Sequence, residues 1–289
     1  MAGIAIKNQR FLNPPKYMAS LAESVQARGG DIIGSFNVTD VRDNGGSVTV
    51  IGSEGRAITA DHVVMATGAW MNDLTKKFGV NVVVQAGRGY SFTVKPEHMP
   101  THPIYFPAQR VACTPLGDRF RIAGTMEFRD ANHKLEPKRI EAIVAAAKPV
   151  YTGINWENRQ EEWVGGRPCT ADGLPLIGQT NSSRVSVGGG HGMWGVALGP
   201  LTGKILASQI TGQSVPAVAR HFNRCARASK TSNRSKTNTH SASRPEPHLG
   251  GSARGRLRAR PRGSGRPGAP GPGTFKVLRG QWWRRPEPR

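Results

Sequence analysis

The chain has 289 residues and a formal net charge of +21, length enough for one large domain or two modest ones with a real core. Residues 1–223 carry 23 Lys/Arg against 17 Asp/Glu, whereas residues 224–289 carry 17 Lys/Arg against Glu246 and Glu287 alone, so the imbalance belongs to the last 66 residues. Three distant cysteines (Cys113, Cys169, Cys225) without C-x-x-C spacing argue against a disulfide framework or a zinc site, and no apolar run reaches the roughly 18 residues of a membrane-spanning helix.

In chain order, MAGIAIKNQR is too poor in apolar residues for a secretory signal, and a soluble protein of the reducing cytoplasm is expected. Pro14-Pro15 then opens KYMASLAESVQARGG, where Tyr17, Met18, Leu21, Ala22, Val25 and Arg28 fall at helical spacing and Gly29-Gly30 stop the helix. DIIGSFNVTDVRD and SVTVIGS read as strands joined through the turn residues Asp43-Asn44-Gly45-Gly46, with GRAITA as a further hairpin arm. DHVVMATGAW is a short apolar strand ending at glycine, the pattern of a buried parallel strand that delivers a loop. From Val80 the character changes. NVVVQAGRGYSFTV is a long β-type run, PIYFPAQRVACTPLGDRFRIAGT two or three antiparallel strands, and EPKRIEAIVAAAKPV an amphipathic helix, together an inserted mixed domain. After Trp163 come the glycine-rich GGRPCTADGLPLIG and RVSVGGGHGMWGVALGPLTGKILASQITG, the latter a strand, a glycine loop and a helix. From Arg224 periodicity stops. Eight Pro, nine Gly and repeated Arg in 66 residues predict a disordered tail.

Three segments carry chemistry. Gly190-His191-Gly192-Met193-Trp194-Gly195 matches G-x-G-x-x-G between strand and helix, but no acidic residue lies about 20 positions downstream to hold a ribose, which argues against a standard dinucleotide turn. The physical content survives: amides at a glycine-rich helix start present donors and partial positive charge. Ala66-Thr67-Gly68 lets backbone approach a ligand closely, although alone it reads rather as a tight strand-to-helix turn packed by Trp70. Arg167, between glycine and proline, offers a planar fork on a rigid loop that suits a carboxylate; alone it reads as a surface arginine paired with Asp172.

Together and in this order, LNPPKYMASLAESVQARGGDI, HVVMATGAW, QAGRGYSFTV, GGRPCTADGLPLIG and VSVGGGHGMWGVALGPLTGKILASQITG resemble the flavoproteins of the D-amino-acid oxidase and dehydrogenase family, which includes glycine and sarcosine oxidases, over roughly residues 10–223. The bacterial D-amino-acid dehydrogenase type is the nearest in character. The resemblance implies an α/β (α+β) fold: an incomplete Rossmann-like FAD-binding domain at 1–79 and 161–223, a mixed-sheet substrate domain inserted at 80–160, and a disordered basic tail at 224–289. It implies FAD as cofactor, held by Ala66, Thr67, Gly68, Gly189, Gly190, His191, Gly192 and Met193. The final helix would aim its start at the pyrimidine edge of the isoalloxazine. Arg167 would clamp the substrate carboxylate and Tyr90 would enter the substrate chamber, with no catalytic nucleophile and no metal. His191 would fix the loop rather than move protons. The implied reaction is hydride transfer from the α-carbon of a small, D-configured amino acid to flavin N5, with quinone or oxygen as electron acceptor. Peripheral contact with the inner face of a membrane is compatible with it, and the oligomeric state stays open.

Two departures from the family pattern stand out. The family opens with a strand, a G-x-G-x-x-G turn, a helix and an acidic residue on the ribose; residues 1–13 carry no counterpart, so the resemblance implies a chain truncated before them. The strand ending at Ala66 is then expected to have an unpaired neighbour position, an aggregation hazard. After HFN the tail takes over, and its Arg, Pro and Gly are what GC-rich codons yield in any frame, so residues from about Arg224 read as a frameshifted extension. The alternative is a non-catalytic fragment whose tail binds nucleic acid or another acidic surface through counterion release, with Trp282-Trp283 stacking on bases; no specific nucleic acid is expected.

Overall fold

The computed structural model describes residues 3–8 and 10–223. The expectations for the tail, whether disordered, frameshifted or nucleic-acid-binding, fall on residues 224–289 and lie outside the described residues.

Helix α1 (Pro14–Ala27) opens as its sequence dictates: Asn13 accepts the amide of Lys16 at 3.2 Å, prolines fill the first turn, and Gly29 follows at φ +83°. Its apolar stripe, however, stays largely uncovered among the described residues. No residue of α1 is buried, and Met18, Leu21 and Val25 are exposed. Strands β1 (Val38–Asp43), β2 (Val48–Gly52) and β3 (Ala57–Ala60) form an antiparallel meander, its first turn closed by Asp43 accepting the amide of Gly45 at 2.8 Å. Residues 31–37, expected to begin the first strand, stay outside it.

Strand β4 (Val63–Met65) leads through a turn into the short helix α2 (Met71–Thr75). From Val84 the long strands follow: β5 (Val84–Val94), β6 (Ile104–Phe106), β7 (Val111–Leu116) and β8 (Arg119–Phe128), then helix α3 (Pro137–Ala147) and β9 (Gln160–Thr170). These five strands make one antiparallel sheet in the order β6-β7-β8-β5-β9. β9 pairs with β5 from Thr93↔Gln160 to Val84↔Thr170, so this sheet continues past residue 160 to Thr170. Ile140, Ile143 and Val144 of α3 bury against Tyr90, Phe92, Phe120 and Ile122, which covers one face of the sheet.

Strands β10 (Leu176–Gln179) and β11 (Val185–Gly189) complete a third sheet, ordered β10-β11-β4, before helix α4 (Gly195–Ile210). β11 pairs antiparallel with β10 and parallel with β4. Val185 and Val187 pack with Met65, Met71, Leu74, Phe78, Val41 and Val48, so one core joins this sheet to the meander.

Candidate functional site

Because β4 and β11 are parallel neighbours, with Val63↔Val185 through Met65↔Val187 in register, both strands deliver their following loops at the same edge. That edge, at the carboxyl ends of parallel strands, is where such sheets bind ligands. The loop after β4 is Ala66-Thr67-Gly68. Gly68 adopts φ +57°, Ala66 is exposed, and the buried Thr67 hydroxyl has no hydrogen-bond partner among the described residues. A buried hydroxyl without a partner calls for one from a ligand or water.

The loop after β11 starts at Gly189 and Gly190. At Gly189, Met71 Cε packs 2.3 Å from where a Cβ would stand. Gly190 sits at φ +76° and Gly192 at φ +55°, backbone that glycine adopts without strain. His191 is buried, and its Nε2 pairs with the Thr202 hydroxyl of α4 at 2.8 Å. Burial pushes its pKa below the ordinary value of 6.5, which keeps the ring neutral. The helical start that follows has no side-chain cap and no acidic residue in its first turn, and Met193 is exposed. An uncapped helix start leaves N–H donors and partial positive charge facing outward.

The third wall is the sheet face turned away from α3. Along β5 the residues of this face are Gly87, Gly89, Ser91 and Thr93, opposite Arg167, Gly165 and Trp163 of β9 and Arg121 of β8. The glycines permit close approach. The Arg167 guanidinium occupies the position a Cβ on Gly89 would take, and the Trp163 ring does the same at Gly165. The wall meets the glycine loop directly: Cys169 bridges His191, and its Sγ lies 3.9 Å from the Cβ position of Gly192. The β4 loop touches the same strand from the other side of the sheet: Ala69 Cβ stands 3.5 Å from the Cβ position of Gly166, which pairs with Arg88 on the α3 face. Arg167 forms none of the ion pairs found among the described residues, and Asp172 accepts the amide of Leu174 at 3.1 Å.

The structure thus brings the Arg167 face against the Gly190–Met193 loop, and places Tyr90 on the other side of the sheet. Tyr90 does not enter a chamber: it is buried on the α3 face, where its hydroxyl donates to Glu127 at 2.6 Å. Strand alternation is the reason, because Tyr90 is one residue from Gly89 and so points to the opposite side. Sequence reasoning missed Arg121, Ser91 and Trp163. The signals were present: Gly87-x-Gly89 inside a strand marks a close approach, and Arg119-x-Arg121 at period two puts both arginines on one face.

Three features suit a planar, electron-rich ring: an uncapped helix start for its negative edge, the partnerless Thr67 hydroxyl, and a glycine loop that permits close backbone approach. Comparison with known proteins agrees. The model of the family of FAD dependent oxidoreductases matches residues 1–209. The D-amino acid dehydrogenase of Vibrio atlanticus (strain LGP32) is 29% identical over 202 residues, covering 69% of this chain and 48% of that protein. The D-amino acid dehydrogenase of Dechloromonas aromatica (strain RCB) is 30% identical over 206 residues, covering 68% and 49%. Glycine oxidase from Bacillus cereus ATCC 14579 superposes with a TM-score of 0.60 at 28% identity, covering 70% of this chain and 57% of that one. L-proline dehydrogenase from P. horikoshii superposes with a TM-score of 0.63 at 17% identity, covering 74% and 60%, a likeness of fold alone. The chain spans about half the length of the curated relatives it matches. With a match that runs from residue 1 to residue 209 of 289, and loops whose geometry suits the cofactor, this chain belongs to the family of FAD-dependent oxidoreductases.

Proposed function

We propose that this chain forms the ring-facing and substrate-facing part of an amino-acid dehydrogenase or oxidase that acts on the C–N bond of a small D-amino acid. FAD, when bound, supplies the acceptor for the hydride that leaves the α-carbon. The residues of this chain orient the reactants and stabilise charge. The amides of Gly190, Gly192 and Met193, backed by the start of α4, would face the cofactor's ring and offer donors to negative charge there. Thr67 offers its hydroxyl and Ala66–Gly68 a flat backbone beside the ring. Arg167 takes the substrate carboxylate in a two-pronged hydrogen bond. His191, neutral and tied to Thr202, keeps the loop in place. The electrons would leave to a quinone or to oxygen. No helix among the described residues is long and apolar enough to cross a membrane.

The observation that carries this reading is Arg167: half-buried, outside every ion pair described, and laid over Gly89 on the face that meets the glycine loop. The test is anaerobic reduction. FAD-loaded protein mixed with D-alanine should lose its flavin absorbance, and Arg167→Leu should raise the half-saturating concentration by about 30-fold or more, as loss of a charge-assisted carboxylate contact implies. Saturation of the variant at the wild-type concentration would remove Arg167 from the site.

A further inference from the structure

A second guanidinium stands beside the first. Arg121, on β8, lies opposite Thr93 on the same sheet face as Arg167, and its Nε donates to Ser91 Oγ at 3.2 Å. The two side chains run over β5 toward each other: Arg167 starts opposite Gly87 and ends over Gly89, while Arg121 starts opposite Thr93 and ends at Ser91. Their anchors, Gly89 and Ser91, are one strand repeat apart, roughly 7 Å. The Ser91 bond fixes the Arg121 rotamer through Nε, and no hydrogen bond or ion pair described uses its two terminal nitrogens. The acid nearest along this face, Glu161, accepts from the Thr93 hydroxyl at 2.8 Å and forms no ion pair with Arg121.

Two like charges brought together and partly desolvated without an acid are costly in the free protein. Burial lowers the pKa of both guanidinium groups, and the neighbouring Arg167 lowers that of Arg121 further, yet arginine stays charged. Such a pair is offset by anions from outside. Ala112 and Ala123, in register beside Ser91, put only methyl groups next to the Arg121 head.

We propose that Arg121 receives a second carboxylate, so that the site prefers an amino acid with two carboxylates over a neutral one. The proposal rests on the reading of Arg167 as the clamp for the first carboxylate and adds the substrate class. With the two arginine anchors one strand repeat apart, a four- or five-carbon diacid spans both heads, whereas a monocarboxylate reaches one.

The test is calorimetric titration of the full chain in low-chloride buffer with butyrate and with succinate, which match in carbon count and differ by one carboxylate. Succinate should bind at least about tenfold more tightly than butyrate, the worth of one charge-assisted contact. Arg121→Gln should bring that ratio close to one, and Arg121→Lys should retain part of it. Equal binding of the two acids by the wild type overturns the proposal and leaves the Arg167 clamp standing. A preference that persists in Arg121→Gln, as binding to the basic tail residues would, also overturns it. If neither acid binds, the Arg167 clamp falls and takes this proposal with it. The wild-type ratio decides the matter even if Arg121→Gln does not fold.

Discussion

Glu127 gathers more partners than any other acid among the described residues. It accepts from Tyr90 at 2.6 Å, pairs with Arg88 at 3.0 Å, and faces Arg139 at 3.3 Å and Arg129 at 3.9 Å. Arg88, buried with it, also donates to the carbonyls of His133 and Lys134 at 2.6 and 3.0 Å, tying β5 to the segment ahead of α3. The Tyr90 hydrogen bond, aided by the arginines, holds the Glu127 pKa below the usual 4.5. Tyr90→Phe removes a bond to a buried charge and should cost about 1.5–3 kcal/mol in a denaturant titration, while carboxylate affinity at Arg167 stays as it was. A second residue-scale expectation concerns pH. His191 and His62 both have folded pKa values pushed below 6.5 by burial, so below that pH the unfolded state binds more protons than the folded one. Stability is therefore full above 6.5 and falls as the pH drops through the folded values. Denaturation midpoints at pH 7.5 and 5.5 should show the decrease; a flat profile would contradict it. At this scale the sequence located the glycine loop after β11, but placed Arg167 on a loop where it lies in β9, and did not tell which side Tyr90 faces. β5 is buried on both faces at every position but Gln85, so apolar character does not tell which side carries the helix and which the ligand.

At the scale of elements, capping signals located helix ends well and burial poorly. α1 has its asparagine cap, its prolines and its closing glycines, all local chemistry, yet an apolar stripe needs a partner surface that no local pattern supplies. α3 carries a comparable stripe and finds the sheet. Leu21→Ala should thus shift stability by no more than about 0.5 kcal/mol, against about 2–5 kcal/mol for Ile140→Ala, as read by thermal or denaturant unfolding. The glycine loop divides in the same manner. A Cβ on Gly190 would stand 2.9 Å from Thr170 Cγ2 on top of a positive φ, whereas one on Gly192 meets Cys169 Sγ only at 3.9 Å. Gly192→Ala should cost about 1–2 kcal/mol of backbone strain, and Gly190→Ala should cost more. Equal costs would mean that the 190 position has room to relax.

For the molecule as a whole, the parallel pairing of β4 with β11 is the decisive fact, because it places two loops more than 120 residues apart in sequence at one edge. A strand ending at glycine was legible; its neighbour was not, since pairing between distant strands depends on packing that a single sequence leaves open. β4 also ends its sheet, with its outer edge unpaired among the described residues and Val64 exposed. Such an edge templates association, and Val64→Lys should lower the concentration-dependent light scattering of the purified chain. The central claim, that both loops face one flavin ring, is tested most directly by amide resonances. On titration of the isotopically labelled chain with FAD, shifts should concentrate at Thr67, Gly68, Gly190, Gly192 and Met193. Shifts absent from these five positions while FAD binds elsewhere, or no change at saturating FAD, would contradict it.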